Sequence, residues 1–351
     1  MPSARAPGRV TLIGDHTDYN EGLSLPMAID LATEATFTPK PGSFLIGVHS
    51  DQFASPWEID LDGAAPTEPE ASLAAGLIRL TRPTAGGTVT VKSTIPLGAG
   101  LSSSAAFSVA LLLALDPALD PARSPADLLA IATRCQEAEA LAGSHVGLLD
   151  PMAICAATPG HAVSIDFATL ETHAVALPDA EHCGFVIVHS ETSRLLGDSP
   201  YAQRRDECER AARQLGRALG RCTLGDLSQL SDPVLRRRAR HVVTECARVQ
   251  HIEQILQRGN MANVETIGQI MTEGHRSLAE DYRVSTPDVD ALVTELLHQP
   301  GVFGARMSGG GFGGCVIALC APDSPALDPE AHVPRRAWRI SPSPGATRLG
   351  M

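Results

Sequence analysis

The chain has 351 residues, 44% of them hydrophobic and only 4% aromatic, with a formal net charge of −12. That length is long for one compact core and suits two lobes, whose interiors must be filled by Ala, Leu, Val and Ile. The negative balance excludes a nucleic-acid partner, which would need clustered Lys and Arg to meet a phosphate backbone.

In chain order, Arg9 to Ile13 is predicted as a strand entering the polar turn Gly14 to Gly22, with further strands at Leu23–Ile29 and Thr33–Phe37. Gly63 to Glu70 is expected as a surface loop and Leu73 to Leu80 as a short helix. Thr88 to Ile95 alternates Thr and Val like a strand. A glycine-rich turn follows, then an apolar run, Ala105 to Leu115, that predicts a buried helix. Pro125 suits the first position of a helix running to about Leu141, and Met152 to Ala157 predicts another. Val163 to Phe167 is expected as a strand. The character changes at Leu177-Pro178, which divides the chain into lobes 1–177 and 178–351. The second lobe is expected to hold strands at Phe185–His189, Cys315–Leu319 and Ala337–Ile340. Its helices are expected at Ala202–Leu219, Val234–Arg258, Asn263–Tyr282 and Asp288–Leu297. Arg236, Arg237, Arg238 and Arg240 read as a solvated helix face. The eight cysteines form no Cys-x-x-Cys pair, so reduced thiols and a cytoplasmic location are expected. Met1 to Arg5 carries no apolar signal core and Ala105–Leu115 is too short to span a bilayer, so no membrane association is expected.

Four stretches carry chemistry. Pro96 to Ala106 places two glycines and three serines on a helix N-terminus, where free N–H groups and the helix dipole favour an anion. No Gly-Lys-Ser/Thr follows, so it is a phosphate cradle of non-Walker type, with a plain serine N-cap as the bland alternative. Gly8 to Tyr19 packs Arg9, Asp15, His16, Thr17 and Asp18 into one polar turn. That inventory of donors and acceptors suits a polyol such as a sugar, against the alternative of a self-capped turn. One His and two Asp within four residues cannot easily converge on zinc. Gly309 to Gly314 holds five glycines in six residues before a strand, which means close backbone approach to a ligand or to another element. Asp150, before Pro151 and an apolar helix, reads either as a helix cap or as a general base; position alone favours the cap.

These stretches, in this order, resemble the galactokinases of the GHMP small-molecule kinase superfamily, at Gly8–Tyr19, Pro96–Ala105 and Gly309–Cys315. The resemblance implies an α+β, two-lobed fold, with a ribosomal-protein-S5-like N-terminal lobe, a ferredoxin-like C-terminal lobe and the active site between them. It implies ATP-dependent phosphorylation of α-D-galactose at the C1 hydroxyl, with Mg²⁺. By the same resemblance Asp150 is the catalytic base, with Arg9 steadying it and the transferring phosphoryl group. Asp15, His16, Thr17, Asp18, Gly147 and Tyr201 match sugar-contacting positions. Gly98, Ala99, Gly100, Leu101, Ser102, Ser103, Ser104, Gly310 and Gly311 match the nucleotide site. Ser104 and Glu139 match metal ligands, with Glu137 a second candidate because the Glu139-to-Asp150 interval of 150 − 139 = 11 positions is one short of the usual. A cytoplasmic monomer acting on a small sugar is expected. The chain departs from the family pattern at Thr11 for Asn, Pro151 for Gln, Val146 for Cys and Asp15 for the commoner Glu. Two rival functions follow: a kinase for galactosamine, N-acetylgalactosamine, arabinose or a uronic acid, and a non-catalytic regulator that binds sugar and ATP.

Overall fold

The computed structural model describes residues 1–61, 66, 68–144, 146–192, 200–258 and 263–350. The strands are β1 (Ser3–Ile13), β2 (Leu23–Pro39), β3 (Leu45–Ser50), β4 (Trp57–Asp60), β5 (Gly87–Ser93), β6 (His161–Asp166), β7 (Glu171–Ala176), β8 (Gly184–His189), β9 (Val302–Ser308), β10 (Cys315–Cys320), β11 (Ala337–Ile340) and β12 (Thr347–Arg348). The helices are α1 (Pro69–Thr81), α2 (Ser103–Leu115), α3 (Pro125–Leu141), α4 (Leu149–Ala156), α5 (Pro200–Leu215), α6 (Pro233–Gln257), α7 (Val264–Ser277) and α8 (Pro287–Leu297). A π-helical turn, Leu278–Tyr282, extends α7. Residues 62–65 and 67 of the expected Gly63–Glu70 loop lie outside the described residues, and Pro69 and Glu70 already belong to α1.

Helix starts follow local chemistry. The Ser124, Asp232 and Thr286 side chains accept from N–H groups in the first turns of α3, α6 and α8, each beside a proline that lacks the N–H those positions leave orphaned. α2 differs: ten of its thirteen residues are buried and it has no polar face, so its stability comes from the packing around it.

The larger sheet runs β12-β1-β2-β5-β3-β4, with β6 paired to the start of β2 and β7 to β6. The expected strands at Leu23–Ile29 and Thr33–Phe37 are one long strand. β2 pairs with β1 over most of its length, and from Thr33 onward its other edge pairs with β5. The smaller sheet is antiparallel, in the order β11-β8-β10-β9. Its alternate residues serve two cores. Phe185, Ile187, Ile317 and Leu319 join the cluster that fills the first lobe, while Val186, Val188, Val316 and Ala318 face the helices of the second.

The chain crosses the expected 177/178 division twice. Val249, Ile252, Ile270 and Met271 of α6 and α7 belong to the first lobe's core, and the tail returns so that β12 pairs with β1. The arginine run is not simply a solvated face. Arg238 is buried and its Nε donates to Glu207 Oε2 at 2.6 Å, while Arg240 pairs with Asp281. A buried guanidinium needs a carboxylate, and Glu207 on α5 supplies it. All eight cysteines are buried and none is in a disulfide. No helix among the described residues is long and apolar enough to cross a membrane.

Candidate active site

A cavity of about 750 Å³ is walled by the polar turn after β1, the starts of α2, α4 and α5, one face of α3, and the glycine stretch after β9. Arg9 on β1 is buried. Its Nε donates to Asp150 Oδ1 at 2.7 Å and its Nη2 lies 2.6 Å from the same oxygen, while its Nη1 donates to the Gly100 carbonyl at 2.9 Å. Asp150 sits inside the first turn of α4 and makes no capping bond, so the helix-cap reading is overturned: Arg9 pulls the carboxylate towards the cavity. Pro151, in the same first turn, costs α4 no hydrogen bond, because its N–H would be an orphan there.

The other acids of the site are placed differently from one another. Asp18 lines the cavity, and its pKa is pushed up to about 7, first by burial and then by the charge of Asp150. Gly147 stands against it so closely that a Cβ would fall 1.5 Å from Asp18 Oδ2. Asp15 also reaches the cavity wall, but protein donors hold both of its oxygens: Arg306 Nη2 at 2.7 Å and the Gly309 N–H at 3.0 Å. Burial raises its pKa to about 6 against the opposing pull of Arg306. His16 adopts a left-handed backbone (φ 63°), and its Nδ1 lies 2.9 Å from the Tyr19 hydroxyl. That hydroxyl bonds Tyr282 at 2.7 Å, and the Tyr201 ring stacks near His16 and Tyr19 at 5.5 and 5.8 Å between centroids. Thr17 is not brought to the cavity. It is fully buried and its hydroxyl donates to the carbonyls of Gly14 and Leu23, so it ties the turn together.

The glycine-serine turn is a different object from a simple cradle. Gly98 and Gly100 take positive φ (71° and 79°), a conformation glycine adopts without steric cost. Ala99 and Leu101 bury their side chains in the core and leave only backbone to a ligand. Ser102 Oγ donates to Asp150 Oδ2 at 2.7 Å and makes no cap to α2. Ser103 opens α2. Of residues 98–104, Ser104 lines the cavity. Glu139 on α3 faces it and accepts its hydrogen bond, whereas Glu137 is exposed to solvent. Burial and then Asp150 act to raise the Glu139 pKa. One hydroxyl with one carboxylate is a normal protein share for Mg²⁺, which takes its remaining oxygens from phosphates and water. Ser108, one turn beyond Ser104, adds a buried hydroxyl on the cavity wall with no hydrogen-bond partner among the described residues. A cation and phosphate oxygens therefore fit this donor set.

In the third stretch, Gly310 lines the cavity beside Tyr201, while Gly311 also packs against Val284, whose carbonyl a Cβ would approach to 2.5 Å. The glycines thus face the cavity on one side and pack against another element on the other.

Sequence reasoning missed the layer behind the site. Arg306, fully buried on β9, bridges Asp15 and Glu245; Glu245 Oε1 also accepts from the Gly14 N–H at 3.0 Å. His241 Nε2 donates to the Asp15 carbonyl, and burial lowers its pKa to about 4, so it is neutral there. The available signal was a charged residue inside the apolar β9 stretch and a Glu on the buried face of α6.

The architecture and this cavity define a small-molecule kinase of the GHMP type. The GHMP kinase N-terminal domain matches residues 72–157 and the GHMP kinase C-terminal domain residues 253–333. The galactokinase galactose-binding signature matches residues 3–39. Galactokinase of Homo sapiens is 39% identical over 329 residues, covering 90% of this chain and 82% of the human protein. Galactokinase of Mycobacterium tuberculosis is 39% identical, covering 91% of this chain and 88% of its own. The crystal structure of Lactococcus lactis galactokinase complexed with galactose superposes with a TM-score of 0.86 at 26% identity, covering 99% of this chain and 95% of that one. The chain belongs to the galactokinase family, sugar kinases that use ATP.

Proposed function

We propose that the protein transfers the γ-phosphoryl group of ATP to the C1 hydroxyl of α-D-galactose, giving ADP and galactose 1-phosphate. The observation that carries this reading is the assembly of Asp150, held by Arg9, on one cavity with Asp18 and His16 on one side and Ser104 and Glu139 on the other. Phosphoryl transfer asks mainly for positioning and charge neutralisation. Asp18, His16 and Tyr201 would hold sugar hydroxyls so that O1 faces Asp150, which accepts its proton as O1 attacks the γ-phosphorus. Arg9 would steady both the carboxylate and the charge on the phosphoryl oxygens. Ser104 and Glu139 would hold Mg²⁺, which neutralises charge on the β- and γ-phosphates when bound.

Asp15 favours a second reading of substrate range. Its carboxylate is engaged by Arg306 and Gly309, and it is a methylene shorter than the Glu common in the family, so selectivity at the outer sugar hydroxyls is relaxed. The intact Arg9–Asp150 pair weighs against a non-catalytic regulator. Buried cysteines without a disulfide suit a reducing compartment, and a cytoplasmic monomer is part of the proposal. The test is ADP release from Mg-ATP, sugar by sugar. Galactose should give the highest kcat/KM; a higher value with galactosamine, N-acetylgalactosamine, arabinose or a uronic acid would replace it. Binding of ATP and galactose without ADP release would move the protein to the regulator class.

A further inference from the structure

Ser102 occupies a backbone conformation that its neighbours reach with glycine. Gly98 and Gly100 have φ of 71° and 79°; Ser102, in the same turn, has φ 63° and ψ 42° with a Cβ to accommodate. A non-glycine residue in the left-handed region persists where its surroundings over-determine it. Here the surroundings are specific. The side chain is buried, makes no cap to α2, and sends its hydroxyl to Asp150 Oδ2 at 2.7 Å. The backbone on either side is fastened to the same unit, since Arg9 Nη1 donates to the Gly100 carbonyl and the Arg9 N–H to the Leu101 carbonyl.

The two oxygens of Asp150 are therefore unlike. Oδ1 receives Arg9 through both Nε and Nη2, at 2.7 and 2.6 Å, whereas among the described residues Oδ2 receives a neutral hydroxyl from Ser102 alone. A proton on Oδ1 would sit against a fixed cation, so Oδ2 is the basic oxygen. A serine hydroxyl is a rotor that can donate or accept. It donates to Oδ2 while that oxygen is unprotonated, and it accepts from Oδ2–H once the proton has arrived.

We propose that Ser102 is a positioning residue for the base, orienting Asp150 and assigning proton acceptance to Oδ2, rather than a ligand of the nucleotide phosphates. This rests on the galactokinase reading above. In the step it serves, the proton on sugar O1 passes to Asp150 Oδ2 and the O1–Pγ bond forms. The bond from Pγ to the β-bridging oxygen breaks, and ADP leaves with that electron pair. Ser102 exchanges its hydrogen-bond role and is itself unchanged.

Three variants separate this role from a structural one. Ser102→Gly removes the hydroxyl and relieves the backbone; Ser102→Ala removes the hydroxyl alone; Ser102→Asn tolerates the left-handed region and restores an N–H donor. The Gly variant is expected to unfold no more easily than wild type, with kcat lowered about 10- to 100-fold and KM for ATP within about twofold. Ala should lose activity similarly, and Asn should recover part of it. An unchanged kcat in the Gly variant, or a raised KM for ATP at unchanged kcat, would overturn the inference, the latter by making Ser102 a phosphate ligand. A second measurement needs no substrate. In a urea-unfolding cycle of Ser102→Gly, Asp150→Ala and the double variant, the contact predicts a coupling of about tenfold or more in the unfolding constant. Additive effects would overturn it. Wild type inactive on every sugar would sink the galactokinase reading, and the cycle would still decide whether Ser102 holds Asp150.

Discussion

Asp18 reaches its place because Gly147 has no side chain: a Cβ there would overlap Asp18 Oδ2 at 1.5 Å. Gly147→Ala should therefore displace the carboxylate and raise the KM for galactose about tenfold or more, with KM for ATP little changed, in steady-state kinetics. Equal effects on the two substrates would contradict this placement of Asp18. The raised pKa of Asp18, about 7, carries a sign that can be checked. Folded protein keeps a proton on Asp18 between about pH 4 and 7, where the unfolded chain has lost it, so this group's contribution to stability declines as pH rises through that window. Asp18→Asn should flatten the fall in thermal stability between about pH 5 and 7.5; an unchanged pH slope would refute the shift. Arg306 belongs to the same scale. Arg306→Met leaves Asp15 and Glu245 buried without their shared cation, and urea unfolding should show a loss of about 3–5 kcal/mol. A loss under about 1 kcal/mol would mean the bridge carries little.

At the scale of elements, legibility followed the strength of local signals. The buried helix α2, the capped helix α3 and the strands β8, β10 and β11 were readable from apolar runs bounded by proline, glycine or serine. The apolar pattern of β2 predicts two strands because exposed Asp30 interrupts it, although pairing with β1 continues on both sides of that residue. β3, β4 and β7 gave no usable pattern: most of their residues are exposed or half-buried, and β7 buries only Val175. The candidate site was legible where several polar residue types crowd one turn. It was not legible where a role depends on a partner distant in sequence. Nothing local to Thr17 shows that its hydroxyl turns inward. Nothing local to Ser102 shows that it meets Asp150, 48 residues away. The fully buried Arg306, 291 residues from Asp15, falls under the same limit.

Across the whole molecule, the site is a seam between parts of the chain that no single segment contains. β1 supplies Arg9 and the sugar turn, α2 and α3 supply Ser104 and Glu139, α4 supplies Asp150, and the strand-to-glycine junction after β9 holds Asp15. Hydrogen bonds from Thr11 N–H to Ser308 Oγ at 2.8 Å and from Gly14 N–H to Glu245 stitch the first motif to the second lobe. The tail, paired to β1, closes the larger sheet's edge. Such a seam fixes Asp150 relative to the turn after β1, which on the proposed reading places the base against the sugar before substrate arrives, the condition for positioning to contribute to rate. The measurement that tests this account most directly is phosphorus NMR of the product formed from Mg-ATP and galactose by wild type and by Asp150→Asn, alongside galactose binding by both. The account predicts galactose 1-phosphate from wild type, and sugar binding without product from Asp150→Asn. Phosphate at another hydroxyl, or near-normal turnover by Asp150→Asn, would contradict it.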